Sequence, residues 1–307
     1  MTSLNTPSVL RAADLAGRTV AHIQPLGGGC ISATARWRLD DGRELMVKSD
    51  HADRRNMLQA EAQGLRALAA AQTIRVPRVV AEGQDDSSGQ AFLVSEFVRS
   101  TTLTADPAAR NNFFTRFAQQ LADLHRPPTD GEGAGEEKTF GWRTDNFIGA
   151  TAQANTPHRS WADFFASQRL EPQLQLARQH NLASPRLIRN IQRILAQLDS
   201  LLAGHDEPPA LIHGDLWSGN YLCDEDHQPV LIDPAVYRAD REAEFGMLQL
   251  FGSCPRRFYE AYQEAYPLSD GWQQRTQLYQ LYHLLNHLNL FGGGYLQQCE
   301  ALAQKIG

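Results

Sequence analysis

The chain is expected to be α+β and to fold in two lobes, a small antiparallel β lobe with one main helix followed by a larger, mostly helical lobe. Three observations predict this. Up to about residue 98, strand-like runs alternate with turn signals and are interrupted by a single helical stripe. From about Thr101 the apolar residues recur at helical spacing. Within this helical region a pair of short apolar runs, Ala210 to Ile212 and Val230 to Ile232, brackets the polar sequence HGDLWSGN and reads as two short strands around a loop.

In chain order, Val20 to Leu26 and Ala33 to Leu39 are apolar runs joined by Gly27, Gly28 and Gly29, so the glycines link strand to strand. A backbone without Cβ atoms can lie close over a phosphate and offer it N–H groups. No GK[ST] follows, which excludes a Walker A loop, and three glycines alone are equally at home in a plain turn. Asp40-Asp41-Gly42 signals a hairpin, and the next strand-like run, Leu45 to Val47, ends on Lys48. A helix from about Asn56 to Gln72 carries Leu58, Glu61, Leu65 and Leu68 on one stripe. A carboxylate in an apolar stripe needs a cation, because a lone buried charge is very costly. Lys48 is the natural partner of Glu61, although a lysine at a strand end is also an ordinary surface residue. Leu93 to Val98 is expected as the last strand of the lobe, running into a hinge at Glu96, Phe97 and Val98.

Beyond the hinge, Phe113, Phe117, Leu121 and Leu124 stripe one helix. Ser184-Pro185 caps another, carrying Leu187, Ile188, Ile191, Ile194, Leu198 and Leu201 before Gly204. The Gly- and Glu-rich segment from Pro127 to Lys138 is expected to be a solvated loop. The expected division is residues 1–98 and 99–307.

The chemistry is concentrated in LIHGDLWSGNYLCDEDHQPVLID, residues 211–233. His213, Asp215 and Asn220 keep the spacing H-x-D-x-x-x-x-N, in which the carboxylate accepts a hydroxyl proton and the amide holds Mg²⁺. Asp233, ending the next strand-like run, stands where a second carboxylate takes the metal that bridges ATP phosphates. With Lys48 to grip the phosphates, Glu61 to hold Lys48, Gly27 to Gly29 and Ser32 over the nucleotide, and hinge backbone at the adenine edge, these residues describe an ATP- and Mg²⁺-dependent phosphotransferase of protein-kinase-like fold.

GGGCISATARW (27–37), MVK (46–48), EAQGLRAL (61–68), RVPRVV (75–80), LVSEFV (93–98), FGWRTDNFIG (140–149), HGDLWSGN (213–220) and DPAVYRADREAE (233–244) together resemble the fructosamine kinases, or ketosamine-3-kinases. The resemblance runs nearly end to end. HGDLWSGN followed by DPA separates this family from the choline and aminoglycoside kinases, which share only the general pattern. Departures are mild: FGW stands where FGF is commoner, and EFGMLQLFG follows DREAE. The resemblance implies phosphorylation of the third-carbon hydroxyl of a ketosamine, a sugar joined by rearrangement to an amine such as a protein lysine, and hence a role in deglycation. Two alternatives stay open at this point: another small-molecule kinase of the same fold, for choline, aminoglycosides or a sugar, and a pseudokinase that only binds nucleotide.

No APE-like motif or long activation segment follows Asp233, so a platform for extended peptides is missing and the acceptor is a small molecule or a modified side chain. Asp145 and Asn146 offer it hydrogen bonds, and Trp217 offers an apolar face for a sugar. Tyr237 and Glu242 are further acceptor candidates, while Trp161 fits core packing with Phe164 and Phe165 better than a ligand role.

Composition agrees with an enzyme of this kind. With 307 residues, 42% of them apolar, the chain can bury a sizeable core. A net charge of −6 without a basic run argues against nucleic acid, and no apolar run approaches membrane-spanning length. Cys30, Cys223, Cys254 and Cys299 show no metal or disulfide-framework spacing, and the start lacks a signal-like pattern, so a reducing cytoplasm is expected. Cys30 directly follows the triple glycine and reads either as a small filler or as an exposed thiol with raised thiolate character. The resemblance implies the second: relatives with a cysteine here form an intermolecular disulfide, so a monomer that dimerises on oxidation through Cys30 is expected.

Overall fold

Period-two alternation in the first third builds one antiparallel sheet. In the computed structural model, which describes residues 4–27, 32–103, 106–127, 139–252 and 254–307, a short helix α1 (Thr6–Ala12) precedes strands β1 (Val20–Leu26), β2 (Ala33–Leu39) and β3 (Glu44–His51). Helix α2 (Arg55–Ala71) follows, then β4 (Val79–Asp85) and β5 (Gln90–Glu96). The sheet order is β1-β2-β3-β5-β4, antiparallel throughout. Seven residues are too few for α1 to leave a readable stripe, and the sequence did not disclose it. The expected final strand begins earlier than Leu93, and Phe97 and Val98 lie beyond its end.

The two faces of this sheet have different partners. Trp37, Leu45, Val47, Phe92 and Val94 pack with Val9 and Leu10 of α1. Ala91 and Leu93 pack with Leu58 and Ala62 of α2. Because neighbouring strand residues point to opposite faces, Val47 joins the α1 side and Lys48, in register with Leu93, is turned toward α2.

The rest is mainly helical: α3 (Pro107–His125), α4 (Trp161–Phe165), α5 (Glu171–Gln179), α6 (Pro185–Leu201), α7 (Glu242–Leu250), α8 (Arg256–Ala265), α9 (Trp272–Phe291) and α10 (Leu296–Ile306). The expected stripes are the buried ones. Phe113, Phe117, Leu121 and Leu124 of α3 are buried and Phe117 meets Phe258 of α8, while Leu187, Ile191, Ile194 and Leu198 of α6 join the second core. Ser184 caps α6 by accepting the Leu187 N–H, as the Ser-Pro pair predicts. Of the expected loop at Pro127 to Lys138, residues 128–138 lie outside the described residues.

Three two-stranded ladders complete the fold: β6 (Asn146–Ile148) with β7 (Thr151–Gln153), β8 (Ala210–Ile212) with β11 (Tyr237–Ala239), and β9 (Tyr221–Cys223) with β10 (Pro229–Leu231). The two apolar runs expected as strands are therefore not each other's partners. Each closes a ladder with a strand the sequence did not disclose, and Ile232 falls just outside β10. This pairing lays residues 213–220 beside 232–235: Ile232 N–H donates to Asn220 O at 3.0 Å and Ala235 N–H to His213 O at 2.9 Å.

Candidate active site

Those two main-chain bonds bring Asp215, Asn220 and Asp233 to one place, and β3 and α2 bring Lys48 and Glu61 to it from the sheet lobe. Lys48 Nζ donates to Glu61 Oε1 at 2.7 Å and to Asp233 Oδ1 at 2.5 Å. Burial by itself would lower the Lys48 pKa, but the Glu61 and Asp233 carboxylates outweigh it and hold the ammonium above its ordinary value. The helix supports this contact by a close approach. A side chain at Gly64 would stand 3.0 Å from Pro234 Cγ, so the glycine, unfavourable within a helix, lets the segment after Asp233 lie against α2. Asp233 itself has φ +56°, a left-handed conformation that costs a non-glycine residue about 1–2 kcal/mol and is typical of functional sites.

Asp215 is partly buried, and Asn220 Nδ2 donates to its main-chain oxygen at 2.8 Å and to Oδ2 at 3.2 Å. Burial pushes the Asp215 carboxyl well above the usual carboxylate range, with Asp233 and Glu244 adding to the rise. His213 is buried, with Nε2 bonded to Ile232 O at 2.8 Å and Nδ1 accepting the Asp215 N–H at 3.3 Å. A carbonyl can only accept, so the proton sits on Nε2, and burial keeps the ring neutral by lowering its pKa. Gly214 has φ +82°, and a Cβ there would lie 2.2 Å from Ala235 O; the middle residue of HGD must therefore be glycine.

Glu244, which sequence reasoning missed, anchors the loop from below. Its buried carboxylate accepts His213 N–H at 2.5 Å and Gly214 N–H at 3.1 Å. The signal in the sequence was a second acid two residues past Glu242, at the edge of the apolar run from Phe245 to Leu248. Arg75 was missed too: its guanidinium joins Glu96 Oε1, at 2.5 Å, to Asp224 in the β9–β10 turn.

The other expected site residues fall in two groups. Trp217 is 36% exposed, and its ring lies over Gly219, where any Cβ would collide with it at 2.5 Å. Asp145 is exposed and accepts the Asn155 N–H at 2.8 Å, and Ser32 Oγ donates to Asp50 Oδ2 at 3.0 Å. At the hinge, Glu96 N–H is taken by Arg78 O and Phe97 N–H by Glu44 O, which leaves Val98 N–H unengaged among the described residues. Asn146, Tyr237 and Glu242, by contrast, are not turned to the cleft. Asn146 is buried with its amide spent on Val236 O, Gln153 and Asn155. Tyr237 is buried with its ring 3.9 Å from the Arg169 guanidinium carbon. Glu242 is fully buried in a two-pronged pair with Arg275, at 2.7 and 2.8 Å. Asn146 and Tyr237 take the inward positions in the alternation of β6 and β11, and Glu242 opens α7, which is buried on all sides from Glu242 to Leu248. Trp161 is buried against Phe164 and Phe165, with Nε1 donating to Tyr279 Oη. Gly27 is the last residue described before the break, and Gly28, Gly29 and Cys30 lie outside the described residues.

The donor set fits a hard divalent cation. Asn220 spends its Nδ2 on Asp215, which leaves Oδ1 as the outward atom, and the Asp233 side chain is 45% exposed with Lys48 as its one ionic partner among the described residues. His205, Asp240 and Glu242 also lie within ligand distance of one another, but Arg275 and Tyr279 occupy those carboxylates.

Comparison with known proteins agrees with this arrangement. A protein from Synechocystis sp. assigned as a ketoamine kinase is 42% identical over 91% of this chain and 88% of its own length. The chloroplastic protein-ribulosamine 3-kinase of Oryza sativa is 36% identical over 90% of this chain and 76% of its own. Among solved structures, one from Haemophilus somnus assigned as a fructosamine-3-kinase has a TM-score of 0.84 at 29% identity, covering 98% of this chain and 96% of that one. An aminoglycoside phosphotransferase, APH(4)-Ia, reaches a TM-score of 0.66 at 14% identity over 97% of this chain and 96% of its own, which shows a shared protein-kinase-like fold and nothing more. The model of the fructosamine kinase family matches residues 5–306. With phosphotransferase residues from both lobes meeting at Lys48 and Asp233, and that match spanning nearly the whole length, this chain belongs to the fructosamine kinase family and is an ATP-dependent kinase acting on a hydroxyl.

Proposed function

We propose that the chain phosphorylates the third-carbon hydroxyl of a ketosamine, free or carried on a protein lysine, and so contributes to deglycation. The observation that carries this is the meeting of Lys48, Glu61 and Asp233 across the two lobes, beside Asp215 and Asn220, whose loop also carries the exposed Trp217. The functional units are residues 1–98, which take the nucleotide, and 99–307, which supply the base, the metal ligands and the acceptor site.

In this reading Asp215 accepts the proton of the attacking hydroxyl. Its raised proton affinity, set by burial, suits a base. His213 acts through Asp215, fixing the turn on which the carboxylate sits. Asn220 Oδ1 and Asp233 would hold Mg²⁺, which would supply positive charge to offset that of the phosphates. Lys48, kept in place by Glu61, orients the α and β phosphates, and Val98 N–H is the hinge donor left for adenine. Gly27 and Ser32 flank the glycine run proposed to take the phosphates, whose Gly28 and Gly29 lie outside the described residues. Trp217 meets the sugar ring and Asp145 offers it an acceptor oxygen.

An ATP-consumption assay on ribulose-lysine, fructose-lysine, choline and kanamycin tests the reading. Turnover of either ketosamine and of neither other acceptor is expected; turnover of choline or kanamycin alone would replace it with the neighbouring kinase classes.

The proposal extends to a cytoplasmic monomer that forms a covalent dimer through Cys30 on oxidation. No helix among the described residues is long and apolar enough to cross a membrane. Non-reducing electrophoresis after mild peroxide should give a dimer band in the wild type and none in Cys30→Ala; a band that persists in the variant would remove Cys30 from the account.

A further inference from the structure

Ile23, Trp217 and Phe291 are the large apolar side chains left exposed among the described residues, and the last two are connected. One residue past Trp217, Ser218 Oγ donates to Phe251 O at 3.2 Å, and a Cβ at Gly252 would lie 2.7 Å from that hydroxyl. Phe251 meets His287 at 4.4 Å between ring centroids, with the ring planes tilted by 33°. His287 in turn meets Phe291 at 5.4 Å and Tyr295 at 5.3 Å. Four rings from the α7–α8 connection, the end of α9 and the turn before α10 thus form one aromatic surface that continues from the loop carrying Asp215 and Trp217. Phe291, 58% exposed, is its outermost member.

His287 gives that surface a polar handle. Its Nδ1 is 2.8 Å from His283 O, so Nδ1 carries the proton and donates, and Nε2 is left as an acceptor with no partner among the described residues. Burial lowers the pKa of this ring, so near neutral pH it is an uncharged acceptor that does not repel a cation. Aromatic faces around a neutral hydrogen-bond acceptor match a substituted ammonium with an alkyl chain: the rings attract the charge and Nε2 accepts its N–H.

We propose that Phe251, His287, Phe291 and Tyr295 form the subsite for the amine-bearing half of the acceptor, taking the secondary ammonium and the first carbons of its alkyl chain while the sugar lies at Trp217. This rests on the ketosamine reading above and deepens it: the chain selects the cationic linkage as well as the sugar. The surface would also leave the far end of the alkyl chain open to solvent, as a lysine on a protein requires.

The test is direct binding by calorimetry in the presence of Mg·ADP, so that it does not depend on turnover. The probes are N-butyl ribulosamine and the isosteric butyl ether, in which oxygen replaces the amine. The wild type is expected to prefer the amine by about threefold to thirtyfold, the span of cation–π contributions. Phe291→Leu, which keeps the apolar cover without the π face, should lower that preference, and Phe291→Lys should abolish it, with Mg·ADP affinity unchanged in both. An amine-to-ether ratio near one in the wild type, or one unaltered in both variants, would overturn the subsite. Failure of the ketosamine reading would look different: the amine would bind with the expected preference, yet no phosphate would be transferred to it.

Discussion

Glu244→Gln is the substitution that most sharply tests how the catalytic loop is held. The Glu244 carboxylate is fully buried and accepts two main-chain N–H groups, at 2.5 and 3.1 Å, from His213 and Gly214. Hydrogen bonds to a charged group are worth about 1.5–3 kcal/mol each, so the pair spans roughly 3–6 kcal/mol. Glutamine keeps the volume and one acceptor, but loses the charge and turns an NH₂ toward one of the two donors. About half the pair should be lost, roughly 1.5–3 kcal/mol, and at about 2–4 °C per kcal/mol for a chain of this size Tm should fall on the order of 3–12 °C. Asp215 follows Gly214 directly, so a loop displaced by about 1 Å should also lower kcat by around 10²-fold. The nucleotide meets Lys48 and the hinge instead, so KM for ATP should stay within about twofold. Thermal melts and initial rates with ATP and the ketosamine varied in turn read all three. A Tm within about 2 °C of wild type together with a kcat within about twofold would refute the anchoring role, because both predicted losses are larger.

Asp215→Asn should keep ATP affinity while cutting kcat by about 10²- to 10⁴-fold, the usual worth of a general base, whereas Asp233→Ala should weaken Mg·ATP binding itself in calorimetry; a variant at Asp215 with more than about a tenth of wild-type kcat would displace it as the base. Trp217→Ala should raise KM for the ketosamine and leave KM for ATP within roughly twofold; equal damage to both constants would make the ring a support for Gly219 and its loop. Burial lowers the pKa of His125, His213 and His283, the last to about 3. A histidine whose folded pKa is depressed stabilises the fold above its unfolded pKa, near 6.5, and that contribution is lost as pH falls below it, by up to about 1.4 kcal/mol per pH unit for each group. Melting curves between pH 8 and pH 5 should therefore show stability falling below about 6.5, with a shallower fall in His283→Phe; an unchanged slope in that variant would exclude its contribution.

Much of this protein was legible in its sequence because the information is local. Strand alternation, the Asp-Asp-Gly hairpin, the α3 and α6 stripes and the Ser184 cap each depend on residues a few positions apart, and each appears where the pattern put it. The pairing of Lys48 with Glu61 could also be inferred, since a carboxylate on an apolar helix stripe must find a cation. What the sequence left open was decided by contacts between distant segments. β8 and β10 turned to β11 and β9 rather than to each other, and only that arrangement sets residues 213–220 beside Asp233. It also gave Glu244 its two N–H partners, thirty residues back along the chain, and sent Asn146, Tyr237 and Glu242 inward, where identical side chains serve packing and buried hydrogen bonds instead of a ligand. Residue type and spacing say which chemistry a side chain can perform; which way it faces is set by the register of strands and the packing of helices, and these are properties of the whole fold.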